Sequence, residues 1–169
     1  MPTEQDRHFM TAALAEAEQA LASGEFPVGC VLVHEGEIVA RGRRLNSQGT
    51  AANELDHAEI VALRKLFATR PALDRSRITA YSTMEPCLMC FATLLLNGIH
   101  SMVYGYEDIM GGGTNLPLAQ LLPLYQAMRP SVIPHVLRQE SVALFKRFFA
   151  DPKQAYWQGS LLADYTLRQ

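Results

Sequence analysis

The sequence predicts a three-layer α/β/α domain in which helices cover both faces of a mixed β-sheet. Three observations support this prediction. The chain has 169 residues and is 49% apolar, which suits a single domain over residues 1–169 with a sizeable core. Two β-rich runs flank Glu35-Gly36 and predict a hairpin, which is an antiparallel pair of strands. Later strands alternate with helical stretches, and strands joined by a helical crossover run parallel.

The first helix is predicted from its N-terminal signal. Thr3 followed by Asp6 is a capping pattern, and Gly24 is a typical end. One apolar stripe lies between them, formed by Phe9, Met10, Ala13, Leu14, Ala17 and Leu21. After the hairpin, residues 45–56 are polar and turn-like. A second helix is predicted from about residue 57 to residue 68.

The middle of the chain continues the alternation. The runs RITAYST (77–83) and MVYGY (102–106) are β-rich and predict the third and fourth strands. Between them, Pro86 suits the first turn of a helix and Asn97-Gly98 suits its end. Because this helix separates the two strands, we expect the strands to be parallel.

The last third of the chain predicts one more strand and three helices. An apolar helix is expected over about residues 118–128. A fifth strand is expected over residues 132–137, and Pro134 favours an edge position for it. Two further helical stretches fill the chain from Ser141 to the end.

Charge and composition exclude several classes of protein. The net charge of −2 gives no basic footprint of the kind found in proteins that coat polyanions. No apolar run approaches the ~20 residues of a membrane helix, and the N-terminal residues do not resemble a secretory signal. Three cysteines do not suit a disulfide framework. We therefore expect a protein of the reducing cytoplasm with no membrane partner.

The segment STMEPCLMC contains the first motif with chemical meaning. Cys87 and Cys90 are placed at i and i+3 in the first turn of a predicted helix, where both thiols share a face and thiolates are favoured. A redox pair, a pair of metal ligands and a structural pair all remain open at this point. The chain has no second CxxC, so a four-cysteine metal clip is excluded. Cys30 lies in a predicted core strand and is expected to serve packing.

A histidine at the start of the second helix narrows these alternatives. The arrangement His57-x-Glu59, then a strand, then Pro86-Cys87-x-x-Cys90 is typical of zinc deaminases that act on nucleobases. One imidazole and two thiolates suit Zn²⁺ and leave a fourth position for water, as in catalytic sites. Glu59 need not bind the metal and can act as a base.

At these motifs the chain resembles the cytidine/deoxycytidylate deaminase superfamily. Within it, the resemblance is to the branch of bacterial tRNA adenosine deaminases and guanine deaminases. It extends to about Tyr106 and includes GEFPVG at 24–29, Asn46, HAE at 57–59 and MEPCLMC at 84–90. It implies a five-stranded, cytidine deaminase-like sheet whose fifth strand is parallel to the fourth.

The resemblance also implies roles for individual residues. The implied zinc ligands are His57, Cys87 and Cys90. Glu59 would move protons, Asn46 would hydrogen-bond the substrate, and the Ala58 backbone would meet a base carbonyl. Asp108 matches the aspartate in a loop motif of this branch and is expected to contact the substrate. The implied reaction is hydrolytic removal of the exocyclic amine of a nucleobase, nucleoside or related amino-heterocycle, with release of ammonia.

Three segments depart from the tRNA-acting enzymes of this branch. Residues 53–56 read Asn-Glu-Leu-Asp where those enzymes usually carry a small neutral run, and two carboxylates there would repel a phosphate backbone. Met110 stands where a lysine is expected, and residues 156–169 are aromatic and apolar rather than basic. We therefore expect a small free substrate, with adenosine in a tRNA anticodon loop as the alternative.

Two further expectations concern the oligomeric state and the functional class of the protein. The resemblance implies a homodimer. The alternative of another class is a non-catalytic zinc protein, or a redox protein that uses Cys87 and Cys90 as a dithiol. A redox protein leaves the His-Ala-Glu motif unexplained.

Overall fold

The computed structural model describes residues 2–169 and contains the predicted five-stranded mixed sheet covered by helices; Met1, which the predicted domain includes, lies outside the described residues. The strands are β1 Gly29–His34, β2 Glu37–Arg43, β3 Ile78–Met84, β4 Ser101–Tyr106 and β5 Ser131–Ile133. The helices are α1 Glu4–Ala22, α2 Ala58–Thr69, α3 Leu88–Leu96, α4 Pro123–Gln126, α5 Arg138–Ala150 and α6 Leu161–Leu167.

The strand order is β2-β1-β3-β4-β5. β1 runs antiparallel to β2 and to β3, whereas β3, β4 and β5 are parallel. This mixed arrangement follows from the connections, because a tight turn at Glu35-Gly36 joins β1 to β2 and longer crossovers join the parallel strands. The fifth strand is parallel to the fourth, as expected.

Helices pack on both faces of the sheet. α1 begins with the predicted capping box, in which the Asp6 N–H donates to Thr3 Oγ1 (3.1 Å) and the Thr3 N–H donates to Asp6 Oδ2 (2.8 Å). Alternate residues of a strand point to opposite faces. One face packs against α1, and its buried residues include Val31, Val33, Tyr81 and Val103. The other face packs against α2 and α3, and its buried residues include Leu32, Ala80 and Met102.

The connection between β4 and β5 differs from the prediction. The helix predicted over residues 118–128 is wrong, because only a 3₁₀ turn at Leu118–Gln120 and the single turn of α4 form there. Pro123 stands at the start of α4, and its ring and missing N–H do not allow an earlier helix to continue through it. β5 is shorter than predicted, because Pro134 follows it directly; it is an edge strand, as expected.

A close approach of α2 to β2 fixes the position of the HAE motif. A Cβ atom on Gly42 would lie 2.1 Å from the carbonyl oxygen of Ala58 and 2.6 Å from the backbone nitrogen of Ala62. Only glycine leaves room for this contact. The first turn of α2 therefore rests directly on β2, and residues 57–59 are held at the edge of the core.

The C-terminal helices pack near the carboxyl end of β4. Phe145 and Phe148 of α5 are buried around Phe26, with ring centroids 5.1 and 5.2 Å away. In α6, the Thr166 hydroxyl is 2.9 Å from the hydroxyl of Tyr106, in a buried contact. Residues 156–169, which we call the C-terminal segment, are thereby anchored to the sheet. Among residues 2–169, no helix has the length and apolar character needed to cross a membrane.

Candidate metal centre and substrate cavity

The three predicted metal ligands come together where α2 and α3 begin. His57 is the N-cap of α2, Cys87 is the N-cap of α3, and Cys90 lies in the first turn of α3. The Nδ1 atom of His57 is 3.5 Å from each of the two Sγ atoms, and all three ligand atoms lie within 4.8 Å of one another. Bonds of ~2.0–2.3 Å from one tetrahedral zinc ion place such atoms roughly 3.5–3.8 Å apart. The geometry therefore fits a single ion.

The predicted start of α3 is slightly too early. Pro86 precedes the helix, and Cys87 caps it rather than lying in its first turn. Both thiols nevertheless lie at the positive end of the helix dipole, where anionic ligands are favoured. Cys30 is fully buried in β1 and does not belong to the group. No second cluster of three candidate ligands occurs in residues 2–169.

Protonation of the ligands favours a metal-binding thiolate. Hydrogen bonds from Cys90 and His57 lower the pKa of the Cys87 thiol to about 4, although burial opposes them. Burial would lower the pKa of His57, but its contact with Cys87, the charge of Glu59 and a hydrogen bond to Glu54 raise it to about 9. The proton held among these groups is the one that a bound cation would displace.

Glu59 lies in the first turn of α2 beside the ligands. Its side chain is buried, and its Oε1 accepts a hydrogen bond of 2.8 Å from the hydroxyl of Ser82 on β3. Together with His57 and Cys87, it contributes to the wall of a cavity. The carboxylate is therefore fixed in orientation and in contact with the space where a substrate would bind.

The cavity has a volume of about 380 Å³, within the range of small-molecule sites. Its wall is largely apolar and aromatic, with a few charged groups. The aromatic residues are Phe26, Tyr156 and Trp157, and the charged ones include Arg44, Glu54, Glu59, Glu85 and Asp108. An apolar cavity with few polar groups suits a planar heterocycle whose edge is read by hydrogen bonds.

The three predicted substrate contacts have different positions. Ala58 and Asp108 line the cavity. Asn46 is not among the lining residues, and its side-chain amide donates to Asp56 Oδ2 at 2.8 Å. Its backbone is left-handed, with φ of 52°, as is common for asparagine in turns. The substrate contacts of all three residues stay predictions.

The loop after β4 is held by a carboxylate that the sequence analysis did not identify. Glu85 is buried, and it accepts hydrogen bonds from the backbone N–H of Asp108 (3.1 Å) and from the hydroxyl of Thr114. A Cβ atom on Gly112 would lie 2.5 Å from Glu85 Cδ, and one on Gly113 would lie 2.8 Å from backbone atoms of α3. The glycines therefore allow close packing of this loop. The sequence feature that could have identified Glu85 is a carboxylate next to the CxxC motif. A carboxylate that is buried there needs hydrogen-bond donors.

A second group of cavity residues, Arg44, Glu54 and Tyr156, was also not identified from the sequence. Arg44 is only 2% exposed, and its guanidinium donates to the backbone oxygens of Leu45 (2.5 Å) and Asn53 (2.6 Å). Glu54 Oε2 accepts a hydrogen bond from the hydroxyl of Tyr156 at 2.9 Å. The tyrosine is 102 residues away along the chain, so no local pattern could have predicted this contact.

Comparison with known proteins agrees with this geometry. Residues 3–106 match the cytidine and deoxycytidylate deaminase zinc-binding region. The chain belongs to this family. A tRNA-specific adenosine deaminase of Streptococcus pyogenes is 32% identical over 137 residues, which cover 81% of this chain and 80% of that protein. The tRNA-specific adenosine deaminase of Bacillus subtilis is 31% identical over 147 residues, which cover 87% and 90%.

Solved structures extend the comparison. A structure described in a study of A-to-I editing by tRNA:A34 deaminases superposes with a TM-score of 0.66 at 28% identity, covering 81% of this chain and 98% of that chain. Guanine deaminase from Nitrosomonas europaea superposes with a TM-score of 0.69 at 19% identity, covering 89% and 87%, and this shows the shared fold.

These findings confirm the predicted family, fold class, zinc cofactor and reaction class. This deaminase is a hydrolase acting on C–N bonds, and it removes the exocyclic amine of a nucleobase, nucleoside or related amino-heterocycle in a zinc-dependent reaction. The His-Cys-Cys group is positioned for the metal. A redox role for the CxxC pair accounts for neither the family match nor the approach of His57 to both sulfurs.

Proposed function

We propose that this deaminase acts on a small free nucleobase, nucleoside or related amino-heterocycle. The observation that supports this most directly is the position of the C-terminal segment. Tyr156, Trp157 and Leu162 form part of the cavity wall, together with Met110 and Gly111 of the loop after β4. A nucleotide within RNA would need space for phosphates on both sides of the inserted base, and these walls restrict that space.

The charge beside the cavity supports the same proposal. Glu54 lines the cavity and is 62% exposed at the side chain. Hydrogen bonds from Asn46 and Asn53 lower the pKa of Asp56, so this carboxylate is ionised at neutral pH. Phosphates are held by cations and repelled by carboxylates. Two carboxylates here suit an uncharged heterocycle better than a nucleic-acid backbone.

In the proposed site, His57, Cys87 and Cys90 hold the zinc ion. Bound zinc supplies Lewis-acid chemistry that makes a water molecule acidic enough to lose a proton near pH 7. Glu59 accepts this proton and delivers it to the ring nitrogen as the hydroxyl adds to the ring carbon that carries the amine. It then passes the second proton, from the added hydroxyl, to the amine, which leaves as ammonia while a carbonyl remains. Ser82 keeps the carboxylate aligned during these transfers.

Other residues of the proposed site bind the substrate. The Ala58 N–H lies in the first turn of α2, where a backbone donor has no partner within the helix, and it donates to a base carbonyl. Asp108 contacts the substrate from the loop after β4. Its carboxylate is already oriented by two backbone N–H groups of that loop, each at 2.9 Å. Asn46 reaches the substrate only if its amide leaves Asp56.

The second candidate function is adenosine-to-inosine deamination in a tRNA anticodon loop. It is favoured by the relatives named above, which at 32% and 31% identity are tRNA-specific adenosine deaminases.

Ammonia release from a panel of free bases and nucleosides, measured beside an anticodon stem-loop, separates the two candidates. We expect at least one free compound to be turned over with kcat/KM of about 10⁴ M⁻¹s⁻¹ or more, the lower end of the usual enzymatic range. Glu59→Ala protein, purified in the same way, controls for contaminating deaminases. Turnover of the stem-loop alone would contradict the proposal and favour the second candidate.

We also propose a homodimer in the cytoplasm. Leu88 and Leu96 of α3, and Leu122 and Leu124 around α4, are each more than half exposed, and a partner subunit would cover such residues. A reducing compartment keeps the cysteine ligands from forming disulfides. Light scattering during size-exclusion chromatography should give twice the monomer mass of 18.8 kDa. A monomer at micromolar concentration would contradict the dimer, and cell fractionation tests the compartment.

A further inference from the structure

Glu54 contacts the metal centre from the side away from the cysteines. Its Oε2 atom is 3.1 Å from Nε2 of His57, whereas Nδ1 of the same ring is 3.5 Å from each of the Cys87 and Cys90 sulfurs. We propose that Glu54 is a positioning residue that fixes the tautomer and orientation of His57. This inference rests on the proposed role of His57 as a zinc ligand.

The physical reason is the number of hydrogen-bond donors and acceptors on the imidazole ring. A neutral histidine has one N–H and one lone pair, on different nitrogens. A carboxylate that accepts from Nε2 places the proton there, so that the lone pair stays on Nδ1 and faces the two sulfurs. Histidines that bind zinc almost always donate their other N–H to such an acceptor, and loss of the acceptor typically lowers metal affinity ~10–100-fold.

Glu54 needs support for this role, because its side chain is 62% exposed. Two groups from other parts of the chain provide it. The hydroxyl of Tyr156 donates to Oε2 at 2.9 Å, and Nη2 of Arg44 lies 3.3 Å from the same oxygen. Arg44 is itself buried, and its guanidinium carbon is 5.6 Å from the centroid of the Tyr156 ring. The three groups together restrict a carboxylate that would otherwise move freely in solvent.

A consequence is that the C-terminal segment is connected to the metal centre by hydrogen bonds through one intermediate residue, Glu54. Tyr156 lines the cavity and holds Glu54, and Glu54 holds His57. A change at Tyr156 should therefore alter zinc affinity, although this residue has no contact with the ligand atoms. The asparagine–glutamate–leucine–aspartate run at residues 53–56 thus has a structural purpose beside its effect on charge.

The test is zinc affinity, measured by competition with a chromophoric chelator on the full-length protein without substrate. Glu54→Ala should raise the Kd for zinc ~10–100-fold. Glu54→Gln should raise it less, because an amide oxygen still accepts from Nε2, and Tyr156→Phe should raise it by less than Glu54→Ala. Glu18→Ala is the matched control, since Glu18 is an exposed carboxylate that pairs with Arg147, and neither residue belongs to the cavity wall or the metal group. This control should bind zinc like the unmodified protein.

Thermal unfolding of the metal-free proteins separates positioning from a general structural role. We expect metal-free Glu54→Ala to unfold within a few degrees of the metal-free parent, because contacts of a carboxylate this exposed contribute about 1 kcal/mol or less. Unchanged zinc affinity in Glu54→Ala would overturn the inference, and so would a loss of affinity matched by an equal loss of metal-free stability. Failure of the parent protein to bind zinc would overturn the ligand assignment as well, whereas the identity of the substrate does not affect the result.

Discussion

Glu59→Ala is expected to abolish deamination while the protein retains a full equivalent of zinc. The carboxylate lies beside the three ligand atoms and in the cavity wall, and it contributes no atom to the metal group. General acid–base catalysis by a positioned side chain typically contributes ~10²–10⁴-fold to the rate. Because Glu59 is proposed to transfer more than one proton, we expect a loss of kcat at the upper end of that range. Steady-state kinetics together with metal analysis of the same sample measure both quantities.

Two further variants make this prediction more specific. Glu59→Gln keeps the size of the side chain and a carbonyl oxygen that accepts from Ser82, yet it cannot accept a proton, so it should be as inactive as Glu59→Ala. Ser82→Ala leaves the carboxylate in place and removes only the hydrogen bond of 2.8 Å that orients it. It should therefore cost much less activity. Near-normal turnover by Glu59→Gln would remove Glu59 from the proposed mechanism.

Cys87→Ala is expected to lose both zinc and activity. The change leaves one imidazole and one thiolate, and two ligands do not hold zinc as three do. It also removes the thiol whose pKa of about 4 makes it the more readily ionised of the pair. Metal analysis after dialysis against a weak chelator should show far less than one equivalent of zinc per chain. Deamination should fall to the level of the metal-free parent protein.

Cys30→Ala is the matched control among the three cysteines. Cys30 is fully buried in β1 and lies outside the metal group. Its truncation removes one buried sulfur and should lower the free energy of unfolding by about 1 kcal/mol, in line with small core truncations. Zinc content and turnover should be retained. Full zinc occupancy and activity in Cys87→Ala would refute its assignment as a ligand.

Much of the secondary structure was predictable because it is encoded locally. Thr3 and Asp6 form a capping box within one turn, and Gly36 readily takes the left-handed backbone that the Glu35-Gly36 turn requires. The prediction failed over residues 118–128, where apolar composition suggested a helix and Pro123 interrupted it. The apolar composition of such a segment therefore determines helix formation less strongly than the missing N–H of one proline does.

The sequence by itself determined the reaction class of this protein. The histidine–glutamate and two-cysteine motifs indicated it through their resemblance to those of zinc deaminases, and each motif lies at the start of a helix. The family match and the approach of His57 to both sulfurs agree with it.

Only the tertiary structure decided how this centre is surrounded. The burial of Arg44, the engagement of Asn46 by Asp56, and the contact between Glu54 and Tyr156 all depend on segments that the chain path brings together. Hydrophobic periodicity specifies which face of an element is buried, but it does not specify which distant polar group that element meets. The zinc-binding motifs were therefore evident in the sequence, whereas the cavity beside them emerged only from the fold.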